Sequence, residues 1–158
     1  ADHDLMIYVN FNQTGDVWKP IADEALIERA LSYAATVADY AISRGIPTGF
    51  GCNSYYTGNA TSESIRIESE NSNQQLNYLF ETMARLQVDS KKSFNFFLEE
   101  DVDQKREESD ILLITAIMTD KMQEHVGELE RLGNSVKVVI LENDREEDGI
   151  MDEQRKQA

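Results

Sequence analysis

Apolar residues along this chain fall into two alternating kinds of pattern. Leu5-Met-Ile-Tyr-Val9 is a short apolar run rich in β-formers, and Asn10-Phe-Asn-Gln-Thr-Gly15 follows it with turn residues. A run of that kind bounded by turn formers predicts a buried strand. Leu26, Ile27, Ala30, Leu31, Ala34, Ala35, Val37, Ala38, Ala41 and Ile42 then recur at helical spacing, with Asp23 placed to cap the start and Gly45 to end it. The alanines of this helix are small enough to let it lie close against a sheet. Ile46–Ser54 predicts a second strand, weakened by Gly49 and Gly51. Thr57–Ser62 is turn-rich, and Ser64–Glu68 alternates as a half-buried edge strand does. Two strands joined by a short turn predict an antiparallel hairpin.

Leu76, Leu79, Phe80, Met83 and Leu86 make a second amphipathic helix, with Ser72 or Asn73 as its cap. Phe94, Phe97 and Leu98 suggest a third, shorter one. A charged loop is expected from Glu99 to Asp110, then a strand Ile111–Thr115. Thr119 or Asp120 opens a helix bearing Met122, Val126, Leu129 and Leu132, ended by Gly133-Asn134, and Val136–Leu141 is the last strand. The order β-α-β-β-α-α-β-α-β predicts a three-layer α/β domain over residues 5–142. Its sheet is mainly parallel with one antiparallel edge strand. Leu5–Val9 is expected at the centre. The segment 143–158 is charged, nearly without apolar residues, and is expected to be a disordered tail.

Composition narrows the class. The 158 residues carry 15 basic and 30 acidic side chains, a net charge of −15. Such a charge repels nucleic acid and anionic lipid, which need a basic face, and favours basic protein partners. The lone Cys52 excludes an internal disulfide and a cysteine-based zinc site. No apolar run approaches the ~18–20 residues of a membrane span, so this stretch is expected to make no membrane contact itself. The chain opens with Ala1 and reaches its first strand within a few residues, as a piece of a longer protein would. It is expected in the cytoplasm, or at a membrane through a segment outside this sequence.

The helix and its exit, Ile27-Glu-Arg-Ala-Leu-Ser-Tyr-Ala-Ala-Thr-Val-Ala-Asp-Tyr-Ala-Ile-Ser-Arg-Gly45, resemble the bacterial family called domain of unknown function 58. Gln75–Leu79 with Met83–Leu86, and the strand Asp110–Thr115, are similar to that family's next elements. The resemblance covers about residues 5 to 142. It implies a von Willebrand factor A-like fold and a partner of the MoxR-type AAA+ ATPase class, in envelope or complex assembly.

A von Willebrand factor A-like domain often holds a divalent cation after its first strand, through Asp-x-Ser-x-Ser. The matching positions here read Asn10, Asn12 and Thr14, which offer oxygens but no charge, whereas hard cations want carboxylates. A second carboxylate implied near Thr115-Ala116 is also missing, and Asp120 lies four residues later. We therefore expect no metal, no cofactor and no catalytic group. Asn10, Asn12, Thr14, Asp16 and Trp18 are expected to form a degenerate metal loop or partner surface. The competing reading is a metal-assisted hydrolase, using Asp16 and Asp120 with the Asn10 and Asn12 amides.

Other candidates have plainer readings. Gly49-Phe-Gly51 opens no helix, so backbone packing in the hairpin is favoured over a phosphate loop. Cys52 is expected to be an inert strand cysteine and His125 a solvated helix residue. His3 is expected in a mobile terminus. Glu99–Asp103 and Glu146–Asp148 are expected to be solvated acidic runs, with contact to a basic partner as the alternative. Tyr55, Tyr56 and Trp18 are open between interface anchors and caps on the core edge.

Overall fold

The computed structural model describes residues 3–15, 19–58 and 63–142. Asp16, Trp18 and the charged tail from residue 143 lie outside the described residues, so the expectations placed on them stay expectations. The elements are β1 (Asp4–Val9), α1 (Glu24–Ser43), β2 (Thr48–Cys52), β3 (Ile65–Glu70), α2 (Asn73–Ala84), α3 (Phe94–Asp103), β4 (Ser109–Thr115), α4 (Asp120–Arg131) and β5 (Ser135–Ile140). The sheet order is β3-β2-β1-β4-β5. β1 is parallel to β2 and β4, β4 is parallel to β5, and β3 runs antiparallel to β2 at one edge. This is the predicted α/β architecture, with the first strand central.

β1 sits there because its side chains are apolar on both faces. Met6, Ile7, Tyr8 and Val9 are all fully buried. Ile7 and Val9 pack with α1 and α2, and Met6 and Tyr8 with α3 and α4. α1 presents Ala30, Ala34, Ala38 and Ala41 to the sheet, as the alanine stripe predicts. The Asp23 carboxylate accepts from Leu26 N at the start of α1. Gly45, at φ 79°, supplies the left-handed residue beyond its end. Ser72 and Thr119 cap α2 and α4. No helix among the described residues is long and apolar enough to cross a membrane.

Gly49 and Gly51 serve packing. A methyl group on Gly49 would lie 2.3 Å from the Ile67 carbonyl oxygen, and one on Gly51 would lie 2.6 Å from Phe97 Cζ. Only glycine lets β3 and α3 approach β2 so closely.

Three expectations are corrected. First, β2 and β3 are not joined by a short turn. Their connection covers residues 53–64 and its first half bonds to the chain after α2: Gln87 N donates to Tyr55 O at 2.8 Å, and Lys91 N to Asn53 O at 3.0 Å. Secondly, Glu99–Asp103 belongs to α3, not to a loop. Phe94, Phe97, Leu98 and Asp101 occupy successive positions of one inward stripe, so the fourth member is a buried aspartate with only 2% exposure. Thirdly, His125 is buried, with Met122, Val126 and Leu129 on the inward face of α4. Its Nδ1 lies 3.1 Å from Glu128 Oε1.

The buried Asp101 accepts a hydrogen bond from the Tyr8 hydroxyl. Its oxygens lie 3.0 Å from Arg66 Nε and 3.2 Å from Arg106 Nε. Arg106 also makes a forked contact with Glu68, 2.6 and 2.7 Å to the two carboxylate oxygens. Burial, then the Asp101 charge, pushes the Tyr8 hydroxyl well above the usual tyrosine range. Tyr8 is thus a neutral donor, and α3 is held to the sheet by a polar cluster inside an apolar layer.

Candidate functional site

In a sheet of order β3-β2-β1-β4-β5 the chain leaves β1 towards β2 and later returns to β4 on the other side. A crevice forms at the carboxyl ends of strands where the order reverses, and ligands of open α/β sheets bind there. Asn10 follows β1 and Thr115 ends β4, so the two residues face each other across that point.

Both are buried, and their side chains are joined: Asn10 Nδ2 donates to Thr115 Oγ1 at 3.0 Å. Asn10 Oδ1 accepts from Asn12 N at 2.8 Å, an Asx turn that folds the loop over the strand end. Asn12 is buried in turn, with 7% exposure. Its Oδ1 accepts from Phe94 N at 2.9 Å and from Asn53 Nδ2 at 3.1 Å, and its Nδ2 donates to Ser90 Oγ at 3.0 Å. Asn53, directly after β2, closes the network. Its Oδ1 accepts from Phe11 N at 2.8 Å and its Nδ2 donates to Lys92 O at 3.0 Å. The Thr115 hydroxyl donates onward to Ile117 O at 2.7 Å.

Above this network lies a small recess of about 20 Å³. Asn10, Asn12 and Thr14 line it from the first loop, Ser93 and Asn95 from the start of α3, and Thr119 from the start of α4. Among the described residues no acidic or basic side chain lines it. Thr14 is exposed, and so is Asp120, the first residue of α4. Asp16 and Trp18 lie outside the described residues.

The donor set can be tested against a divalent cation. Such an ion takes six or more oxygens and needs carboxylate charge to offset lost hydration. The Asn10 and Asn12 carbonyl oxygens already accept backbone N–H groups, and Thr115 is committed to Asn10 and Ile117. No group of three or more His, Cys, Asp or Glu side chains placed to hold a metal occurs among the described residues. Among the described residues the donor set does not fit the ion, and no chemistry is routed through it.

Sequence reasoning singled out Asn10, Asn12 and Thr14, and the structure brings all three to one recess. It missed Asn53, Ser93, Asn95 and Thr119. Asn53 had a readable signal, because it is a polar residue directly after the strand next to β1. Ser93 and Asn95 come from a helix start more than eighty residues away, which spacing alone cannot place.

The remaining candidates lie elsewhere. Cys52 is fully buried on β2, and burial pushes its thiol up to about 12, so it is not a nucleophile. His3 is exposed and its Nδ1 lies 3.0 Å from Asp110 Oδ1, which ties it to β4. Tyr55 and Tyr56 are half-buried. Tyr55 donates to Asp89 Oδ2 at 2.8 Å, and Tyr56 packs on the core edge with the Arg85 guanidinium 4.7 Å from its ring centre.

No family model matches the chain, and no curated protein matches it. Among solved structures it is similar to a von Willebrand factor type A protein from Catenulispora acidiphila, at 9% identity and a TM-score of 0.42. That match covers 88% of this chain and 39% of the other, so the chain spans well under half the length of the protein it resembles. The fold described above rests on the strand order and register of this chain itself.

Proposed function

We propose that this domain is a non-catalytic protein-interaction module of the von Willebrand factor A-like kind, binding its partner without a metal ion through the loops at the carboxyl end of the sheet. One observation carries the reading. The recess at the switch point is lined by amides, hydroxyls and apolar side chains, and among the described residues it holds no titratable group. General acid–base chemistry needs such a group within hydrogen-bond reach of a substrate, and a metal site needs charge. What remains is a polar surface, framed by Thr14, Ser93 and Asn95. Asp16 and Trp18 are proposed to extend it. The domain is taken as residues 5–142.

The partner class follows from the resemblance of Ile27–Gly45 to the domain of unknown function 58 family, and is a MoxR-type AAA+ ATPase. The test is co-purification of this domain with such an ATPase from the same genome, with and without a chelator. The expected result is a complex that survives chelation and is lost in Asn95→Arg, which fills the recess. A complex that needs magnesium would sink the metal-independent reading. Failure to associate under either condition would remove the ATPase and leave the surface without its partner.

A further inference from the structure

β5 is the outermost strand on one side of the sheet, paired only with β4 among the described residues. Leu141 N donates to Thr115 O at 2.9 Å, which turns the N–H and C=O groups of the odd-numbered residues of this strand towards β4. Those of Val136, Val138 and Ile140 therefore point away from the sheet, and no hydrogen bond reaches them from any described residue. The strand is apolar but poorly covered. Val136, Val138 and Val139 are half-buried and Ile140 is 54% exposed, whereas Ile111–Thr115 of β4 are all buried.

The two edges of the sheet are built differently. β3 carries Arg66, Glu68 and Glu70, and its register with β2 is broken between Thr48 and Phe50. Charged side chains and irregular pairing keep an edge strand from joining another chain. β5 has neither defence. Its register with β4 is unbroken over all six residues, it contains no proline or glycine, and Lys137 is its only charged side chain.

We propose that β5 pairs antiparallel with β5 of a second copy of this chain, joining two five-stranded sheets into one across a two-fold axis perpendicular to them. A row of outward N–H and C=O groups is satisfied by another strand and not by a helix. The sequence of β5 is complementary to itself in that arrangement. Such an axis keeps the two faces of the sheet in place, so residues opposite each other share a face. With Val138 on the axis, Val136 lies opposite Ile140 and Lys137 opposite Val139, and the outward backbone groups of residues 136, 138 and 140 meet their counterparts. A shift that put Lys137 on the axis would set it against its own copy, and like charges directly opposite are unfavourable. The net charge of −15 on each copy opposes association at long range, but β5 itself brings no acidic side chain to the contact. Salt therefore strengthens the pairing by screening the rest of the surface. No residue of β5 lines the recess at the carboxyl end of the sheet, and neither reading depends on the other.

Sedimentation equilibrium on the intact chain, from micromolar to millimolar concentration and at low and high salt, measures the pairing, and hydrogen exchange locates it. The expected result is a reversible monomer–dimer equilibrium that tightens with salt, with the Val136, Val138 and Ile140 amides protected only as dimer forms. The Val139 and Leu141 amides, already turned to β4, should not change. Ile140→Pro removes an outward N–H and no bond to β4, so the fold should survive it. Dimerisation should weaken roughly tenfold or more in that variant, because each dimer loses two hydrogen bonds. A monomer at every concentration, or a dimer whose three outward amides exchange freely, would overturn the proposal. Protection of those amides in the monomer would do so too, since the occupant would then be a segment of the same chain. If Ile140→Pro misfolds, the concentration dependence of exchange on the unmodified chain decides alone.

Discussion

Replacing Asp101 by alanine removes the anion around which one layer of the protein is assembled. The Asp101 side chain is 3% exposed, and its two cationic partners, Arg66 and Arg106, are 17% and 11% exposed. Without Asp101 the two guanidinium groups stay largely buried. Arg106 keeps Glu68, while Arg66 keeps Glu100 at 3.9 Å and a bond to Phe97 O at 2.8 Å. The Tyr8 hydroxyl loses its acceptor as well. Breaking a buried ion pair by removing one partner costs about 3–5 kcal/mol. For a domain of this size each kcal/mol lowers Tm by roughly 2–4 °C, so Asp101→Ala should melt about 6–20 °C lower. Calorimetric melting and urea titration should agree on the loss. Asp103, exposed two residues along the same helix, is the control, and Asp103→Ala should change stability by no more than about 0.5 kcal/mol. A loss below about 1 kcal/mol for Asp101→Ala, similar to that of Asp103→Ala, would mean that Asp101 is solvated and the cluster does not hold α3.

Two further outcomes can be checked directly. Ala34→Leu or Ala38→Leu inserts bulk at a fully buried contact between α1 and the sheet, and should cost about 1–3 kcal/mol by overpacking, read as a lower urea midpoint; unchanged midpoints would place the stripe in solvent. Burial raises the Cys52 thiol to about 12, so above pH 9 the unfolded thiol ionises while the folded one stays protonated. Its contribution to stability is therefore present below pH 9 and is lost as pH rises from there towards 12, by the linkage between proton binding and folding. The stability difference between the parent and Cys52→Ala should narrow over that window, and a gap that stays constant would refute the assignment.

The parts of the fold that were legible in the sequence are those whose signal is local. β1 reads as an apolar run, α1 as an alanine-rich stripe with Asp23 and Gly45 at its ends, and the strand order follows from alternating strands and helices. What escaped was polar residues doing apolar residues' work. Asp101 occupies the fourth position of the stripe Phe94–Phe97–Leu98, and His125 occupies an inward position between Met122 and Val126. A periodicity count that scores only apolar side chains ends α3 early and turns His125 outward. The partner that makes each burial tolerable cannot be read from spacing, because Arg66 lies 35 residues before Asp101 in the chain. The recess was legible by halves for the same reason. Asn10 and Asn12 follow a strand that is plain to see, whereas Ser93 and Asn95 reach them only through the packing of α3.

That packing ties the candidate site to the buried charge. α3 is held at its first residue by the bond from Phe94 N to Asn12 Oδ1, and near its end by Asp101. Between the two, Phe97 meets Tyr8 edge-on at 4.8 Å and Phe94 stacks on Phe97 at 5.1 Å. A helix fixed at both ends by polar contacts has little freedom to slide, because any shift breaks hydrogen bonds that the surrounding apolar layer cannot replace. Ser93 and Asn95, which line the recess, inherit that constraint. The loop residues 10–12 are therefore held by side-chain amide hydrogen bonds and an anchored helix. Loosening α3 at Asp101 should then disturb the amides of Ser90, Ser93 and Asn95 before the strands open, which hydrogen exchange on Asp101→Asn can read. Faster exchange confined to residues 101–106, with residues 90–95 unchanged, would show that the two ends of α3 act separately.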